Sequence, residues 1–159
     1  MAEDLFVREL SAEEGWVPLS TDAAGALREM EAGDVPVLYE VYRDAFSSRP
    51  GLKLSEEMWT TKWPLHPQCI PRFSTVAVAG GGPVGYVLGY LDPATPKEGY
   101  IGQLGVKRDW QRRGIGTQML LRTMHAFRLA GFSSVALRVA RDNLLAISLY
   151  RQLGFSLRG

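Results

Sequence analysis

The stretch Gln103–Met124, "QLGVKRDWQRRGIGTQMLLRTM", decides how the chain is read. It passes from a short apolar run through a basic, glycine-punctuated loop into a pattern of helical period. Arg112, Arg113, Gly114 and Gly116 stand at the mouth of the predicted helix. A helix start offers unpaired backbone N–H groups and a partial positive charge. Glycine lets that backbone come close to a ligand, and two guanidinium groups can add charge-assisted bonds. Together these features describe a cradle for an anion, and for a pyrophosphate in particular.

The composition makes any such site local. The chain has 159 residues, which suits one domain over 1–159. Its 18 Lys and Arg oppose 17 Asp and Glu. That balance supplies no broad field for nucleic acid or a membrane, so neither is an expected partner. Cys69 is the one cysteine; it excludes an internal disulfide and suits a reducing compartment. The N-terminal "MAEDLFVREL" is acidic and lacks the apolar run of a signal peptide. No apolar run approaches the ~20 residues that span a bilayer. These readings predict a cytoplasmic protein.

Outward from the central stretch, periodicity and punctuation divide the chain. "LFVREL" (5–10) is a predicted strand, and within the ambiguous residues 11–33 "TDAAGALREMEAG" (21–33) is a possible short helix. "GDVPVLYEVYRDAF" (33–46) is a predicted helix capped by Asp34, with Pro36 in its first turn. "LSEEMWTTKW" (54–63) is a second, capped by Ser55. Pro64, Pro67 and Pro71 make "LHPQCIP" a loop. "RFSTVAVAGGGPVGYVLGYLD" (72–92) holds two β-rich runs around Gly80–Pro83 and reads as an antiparallel hairpin. "GYIGQLGV" (99–106) is another strand. Ile115, Met119, Met124 and Phe127 mark a long helix ended by Gly131. "SSVALRV" (133–139) is a strand, "NLLAISLYRQL" (143–153) a helix capped by Asn143 and stopped at Gly154, and "FSL" a final strand. The order predicts an α/β mixed sheet whose later half is parallel.

Three anion loops compete for the central stretch. A Walker A loop needs G-x-x-x-x-G-K-[ST], which is absent. A Rossmann fingerprint begins at Gly114-Ile115-Gly116, but Met119 replaces the third glycine and Arg138 and Arg141 stand where an acidic residue belongs. The acyl-CoA loop, Q/R-x-x-G-x-G/A, is met in full by Gln111–Gly116. With "LRVARDN" and "NLLAISLYRQLGF" downstream, the chain resembles the GNAT superfamily of acyl-CoA-dependent N-acetyltransferases, most strongly over residues 76–155. The resemblance implies a single-domain GNAT-like sheet with antiparallel N-terminal strands. It also implies a bulged, splayed parallel pair of strands that forms an acyl-CoA cleft, flanked by helices.

It implies roles as well. Leu104, Gly105 and Val106 match positions whose backbone pairs with pantetheine and polarises the thioester carbonyl. Arg112, Arg113, Gly114, Ile115, Gly116 and Thr117 match the pyrophosphate loop. Asn143 matches a cofactor contact, and Tyr150 the tyrosine that protonates the departing thiolate. The expected donor substrate is acetyl-CoA, no metal is expected, and the acceptor is a primary amine of a small molecule or peptide. The chemistry agrees. An ammonium has no lone pair, and an alkyl amine has a pKa near ~10, so a base or a depressed pKa is needed. Direct transfer requires no protein nucleophile.

Each candidate also has a plainer reading. Tyr150 can be a packed helix aromatic, and Asn143 an N-cap. Cys69 in its loop is not read as a nucleophile, His125 is read as structural, and His66 can line an acceptor pocket. Trp59, Trp63, Tyr39 and Phe46 offer an acceptor wall or a core. For the base, Glu98, Glu40, Asp44 and a water relay stay open. Some peptide N-terminal acetylases carry Glu in "L-E-V-R-x-x-N", where this chain has Arg138; that residue can meet an acidic acceptor group or face solvent. A catalytically inactive acyl-CoA sensor or interaction module, or a nucleotide-binding domain, are the rival readings. Only Ser156–Gly159 follow Phe155, so "SSVALRV" is expected to keep an uncovered edge. A homodimer would cover that edge, unless the sequence is a fragment of a longer protein.

Overall fold

The computed structural model describes residues 2–10, 26–49 and 53–158. Seven strands form one sheet: β1 (Glu3–Glu9), β2 (Ala26–Glu29), β3 (Thr75–Ala79), β4 (Gly82–Leu91), β5 (Glu98–Val106), β6 (Ser134–Ala140) and β7 (Ser156–Leu157). Their spatial order is β2-β3-β4-β5-β6-β1-β7. The helices are α1 (Val35–Ala45), α2 (Glu56–Lys62), α3 (Ile115–Leu129) and α4 (Leu144–Gln152). None is long and apolar enough to cross a membrane.

The sheet is buried on both faces because its central strands carry apolar residues in both phases. On one face, Leu38, Val41 and Tyr42 of α1 and Trp59 of α2 pack against Tyr86 and Leu88 of β4. On the other, Met119, Leu120 and Phe127 of α3 pack with Val87, Ile101 and Leu137. Ser55 caps α2, its hydroxyl accepting from the Met58 N–H at 3.2 Å, as its sequence position predicts.

The predicted order holds from the hairpin onward, with one refinement. β5 and β6 form the parallel pair, over Glu98↔Ser134 to Ile101↔Leu137; β7 pairs with β1 instead of extending a parallel set. Within β5, Leu88 faces Gln103 while Gly89 faces Ile101, so Gly102 is the extra residue of a bulge. A Cβ there would meet the Tyr90 ring at 2.3 Å, which reserves the position for glycine.

Three expectations are corrected. Within Thr21–Gly33, residues 26–29 form a strand beside β3, with Ala26↔Val78 to Glu29↔Thr75, and residues 21–25 lie outside the described part. The open edge of β3 overrides local helix propensity by supplying long-range backbone partners. Asp34 does not cap α1 with its side chain. A 3-10 turn at Ala32–Asp34 precedes the helix, and the Asp34 carboxylate reaches back to the Glu31 N–H at 2.8 Å while Arg28 donates to both its oxygens at 2.7 Å. Finally, the outer edge of β6 is covered. β1 pairs with it along Glu3↔Ala140 to Glu9↔Ser134, and β7 in turn pairs with β1. The argument for a homodimer across that edge therefore loses its premise.

Two outcomes are expected. Phe6 is 1% exposed in the core, so Phe6→Ala should cost about 3–5 kcal/mol, read as a lowered urea midpoint. Arg28 donates hydrogen bonds that hold the Asp34 carboxyl below its ordinary range. That stabilisation is present above the unfolded pKa, near ~4, and is lost as pH falls through the folded value. Asp34→Asn should thus lower stability at pH 7 and flatten the acid limb of the stability–pH curve. An unchanged acid limb would remove the pair from that role.

Candidate active site

The last rung between β5 and β6 is Ile101↔Leu137; beyond it the strands diverge. The opening is a cleft of about 270 Å³ lined by Leu104, Val139, Asn143 and Tyr150 among others. Its β5 wall has a defined polarity. The Lys107 N–H donates to the Val84 carbonyl at 2.8 Å. Because an antiparallel ladder alternates, Gly105 then turns its polar groups to β4, whereas Leu104 and Val106 turn theirs toward the cleft. Gln111 covers one of these, its Nε2 donating to the Val106 carbonyl at 2.9 Å. Of the three positions expected to pair with pantetheine, Leu104 and Val106 present backbone to the cleft and Gly105 does not.

The cleft leads to the start of α3. Arg112 has φ +64° and Gly114, the N-cap, φ +81°. These left-handed residues swing the chain so that the first N–H groups of α3, from Ile115 to Thr117, point outward without intrahelical acceptors. The Ile115 side chain is buried, so only its backbone can serve a ligand. Arg113 is committed to its own loop: it donates to the Asp109 carbonyl at 3.0 Å and lies 4.6 Å over the Trp110 ring. Arg112 lines an open hollow of about 540 Å³ with Arg108 and Gln111. Asp44 steadies this loop from α1, accepting the Arg108 N–H at 2.7 Å.

On α4, the Asn143 Oδ1 accepts the Ala146 N–H at 3.3 Å, so the residue caps the helix while lining the cleft. Tyr150 packs edge-on to Phe155 at 5.9 Å. Its hydroxyl makes no hydrogen bond to another described residue, and burial pushes its pKa up to about 12. The phenol therefore keeps its proton at neutral pH.

A second cavity, of about 640 Å³, opens on the α2 side of the sheet. Trp63, Gly102 and Arg138 line both cavities and mark their junction. His66, Tyr90 and Tyr100 add aromatic surface. The His66 Nδ1 accepts the Gln68 N–H at 3.0 Å, and its ring meets that of Tyr90 at 6.0 Å. Of the aromatic wall expected from the sequence, Trp63 faces this cavity and Phe46 the donor-side cleft. Trp59 is fully buried, and the Tyr39 hydroxyl donates to the Leu54 carbonyl, so both serve the core. Trp59 Nε1–H and the Tyr86 hydroxyl both donate to Gln103 Oε1, at 2.9 and 2.7 Å, and fix the strand beside the bulge.

The expected bases are scattered. Glu98 lines the larger cavity at the closed end of the β5/β6 pair, engaged by Ser134 at 3.1 Å and Arg158 at 2.6 Å. Glu40 is exposed on α1 beside Arg43, and Asp44 belongs to the loop contact above. Among the described residues the carboxylate that lines the cleft is Glu3, on β1, a placement that only the long-range pairing of β1 with β6 produces. Cys69 is buried and burial raises its thiol pKa, the opposite of nucleophile activation. His125 lies on α3 beside Arg128, its pKa lowered by burial and by that charge.

The site thus combines a bulged strand splayed from its parallel neighbour, a left-handed loop at a helix start and a tyrosine lining the gap. Residues 36–155 match the family model for the Acetyltransferase (GNAT) family, and the chain belongs to that family. Mycothiol acetyltransferase of Saccharomonospora viridis is 32% identical over 80% of this chain and 37% of its own length. A GCN5-related N-acetyltransferase from Sphaerobacter thermophilus superposes with TM-score 0.75 at 26% identity, covering 98% of this chain and 49% of that one. The fold is also that of the Thermoplasma acidophilum PaiA N-acetyltransferase solved with coenzyme A, at TM-score 0.67 and 18% identity over 84% of this chain and 90% of that one. The chain thus spans less than two thirds of the length of the curated relatives it matches first.

A Cβ on Gly116 would meet only Leu149 and Leu104 side chains, at 3.8 Å or more. Gly116→Asp should therefore fold, while placing a carboxylate among the N–H groups that face the loop's anion. Coenzyme A should raise the melting temperature of the parent by a few degrees, as any ligand of the folded state does, and leave the variant unshifted. An equal shift in both would mean that the anion binds elsewhere.

Proposed function

We propose that the protein transfers an acetyl group from acetyl-CoA directly to a primary amine. The observation that carries this reading is the backbone of Leu104 and Val106 that no neighbouring strand pairs, which runs from the junction of the two cavities toward the open N-terminus of α3. Pantetheine would lie along that backbone, and the pyrophosphate would take the N–H groups of Arg112–Thr117, with Asn143 at the cleft's other wall. The thioester would then sit near Gly102 and Arg138, between a donor-side cleft and an acceptor-side cavity.

In the reaction a neutral amine forms a C–N bond at the thioester carbon, and the C–S bond breaks. An amide N–H facing the cleft, that of Leu104 foremost, stabilises negative charge on the carbonyl oxygen. Tyr150 gives its proton to the sulfur, and the proton lost by the nitrogen returns to solvent or to the phenol. Glu98 is engaged by Arg158, so the amine's proton leaves through water, with Glu3 the carboxylate lining the cleft.

Thiol release from acetyl-CoA with polyamines, aminoglycosides, amino acids and peptides tests the reading. Coenzyme A binding without release on any acceptor would favour a sensor or interaction module. Tyr150→Phe keeps the ring and should lower turnover about ten- to a thousandfold, with little change in coenzyme A binding. A phenol with its pKa near 12 remains an acid throughout the neutral range. The parent's turnover should consequently show no loss from Tyr150 ionisation up to about pH 9. Undiminished turnover in the variant, under conditions where chemistry limits, would return Tyr150 to packing.

A further inference from the structure

Among the described residues, Arg138 is the charged one that lines both cavities. It follows Leu137, the last residue of β6 paired with β5, and so projects at the apex of the splay. Its side chain is exposed and forms no hydrogen bond or ion pair with another described residue. An electrostatic neighbour is the Tyr100 phenol, whose ionised form the guanidinium favours against the larger effect of burial.

Glu3 lines the adjoining cleft and acts on the Tyr100 phenol in the opposite sense to Arg138, while the other charges nearby have contacts of their own. Arg158 is held on Glu98 at 2.6 Å, and Arg49 pairs with Asp142 at 3.7 Å. The Lys62 ammonium lies 5.1 Å from the Trp63 ring centroid. Asp92 turns one carboxylate oxygen to the Ala94 N–H at 2.9 Å. Among the described residues that line this largely aromatic cavity, Arg138 is the cation that makes neither an ion pair nor a ring contact, beside the place where an acceptor amine must arrive. A planar guanidinium with free donors matches a carboxylate in a two-bond, fork-to-fork arrangement.

We infer that the acceptor is a free amino acid or a similar small amine whose carboxylate lies a few bonds from the reacting nitrogen and pairs with Arg138. The inference rests on the acetyl-transfer reading for where the amine sits. It names the acceptor class and makes Arg138 the residue that selects it. A peptide N-terminus has an amide where this acceptor has its carboxylate and leaves Arg138 unpaired. The cavity, about 640 Å³, accommodates an amino acid with its side chain against Trp63, Tyr90 and Tyr100.

The test compares amines that differ only in the carboxylate. The parent protein and Arg138→Gln are assayed for thiol release with L-amino acids, their amides and their decarboxylated amines. Binding of the same compounds to the coenzyme A-loaded protein is measured by calorimetry. For the parent, kcat/KM and affinity should be higher for the acid than for its amide or amine. Arg138→Gln should lower both for the acid about ten- to a hundredfold, the usual worth of a hydrogen bond between charged groups. It should leave the amide and amine within about twofold and coenzyme A affinity unchanged, and Arg138→Lys should restore part of the loss. Carboxylate-dependent binding without thiol release would sustain the inference and defeat the acetyl-transfer reading. A parent that binds and acetylates amides as well as acids, an equal loss on all three compounds, or no binding of any of them would overturn the inference.

Discussion

The whole arrangement depends on where β5 and β6 stop being neighbours. Four rungs join them, from Glu98↔Ser134 to Ile101↔Leu137, and then the ladder ends although both strands continue. The cause is local. The bulge at Gly102 shifts the phase of β5 on its β4 side, and the Tyr90 ring fills the space a side chain would take there. β4 follows the shift and keeps its hydrogen bonds; β6 does not. The cost is a set of backbone groups at Leu104 and Val106 that no strand satisfies. Gln111 takes one of them. The remainder face the cleft with no strand beside them.

A strand can leave one neighbour only if the other holds it. β6 shares four rungs with β5 but seven with β1. β1 is fastened in turn by the Arg141–Asp4 ion pair at 2.7 Å and by Arg8, whose Nε donates to the Leu153 carbonyl at 2.9 Å behind α4. The first strand in the chain therefore braces the last third of it. It also brings Glu3 to the smaller cleft and Leu5 to the larger cavity. The site is thus assembled from segments more than a hundred residues apart, and its geometry is inseparable from the packing of Phe6 in the core.

What was legible in the sequence follows from the same distinction between local and distant causes. The hairpin at Gly80–Pro83, the Ser55 and Asn143 caps and the period of α3 are set by residues within a few positions of each other, and each was readable. So was the loop at Gln111–Gly116, in which Gly114 is left-handed, although nothing local marks Arg112 as left-handed too. The strand at Ala26–Glu29 was not, because its partner β3 lies some fifty residues on and its local composition favours helix. The cover over β6 was missed for the same reason: β1 was recognised as a strand, but nothing in its own residues states which edge it joins. Tyr90 and Tyr100 showed only the alternation of strands. They become cavity walls once α2 and the following loop set Trp63 and His66 opposite them.

The two sides of the site are built from different materials, and that explains why one was easier to read. The cleft between β5 and β6 is made largely of backbone: a strand edge without a neighbour, a helix start and a left-handed turn. Such features demand particular residue types at fixed spacing, so they leave a motif. The larger cavity on the α2 side is made of side chains on a frame that tolerates many choices, and it leaves none. Its character lies in how its charges are partnered, which depends on contacts between segments such as Glu98 with Arg158. Arg138 could be seen in the sequence only as a departure from the pattern of the peptide-acetylating relatives. The fold gives that departure its physical meaning. Its strand parts from β5 at the preceding residue, so Arg138 stands exposed where the two cavities meet, while Arg158 and Arg49 are held on carboxylates of their own.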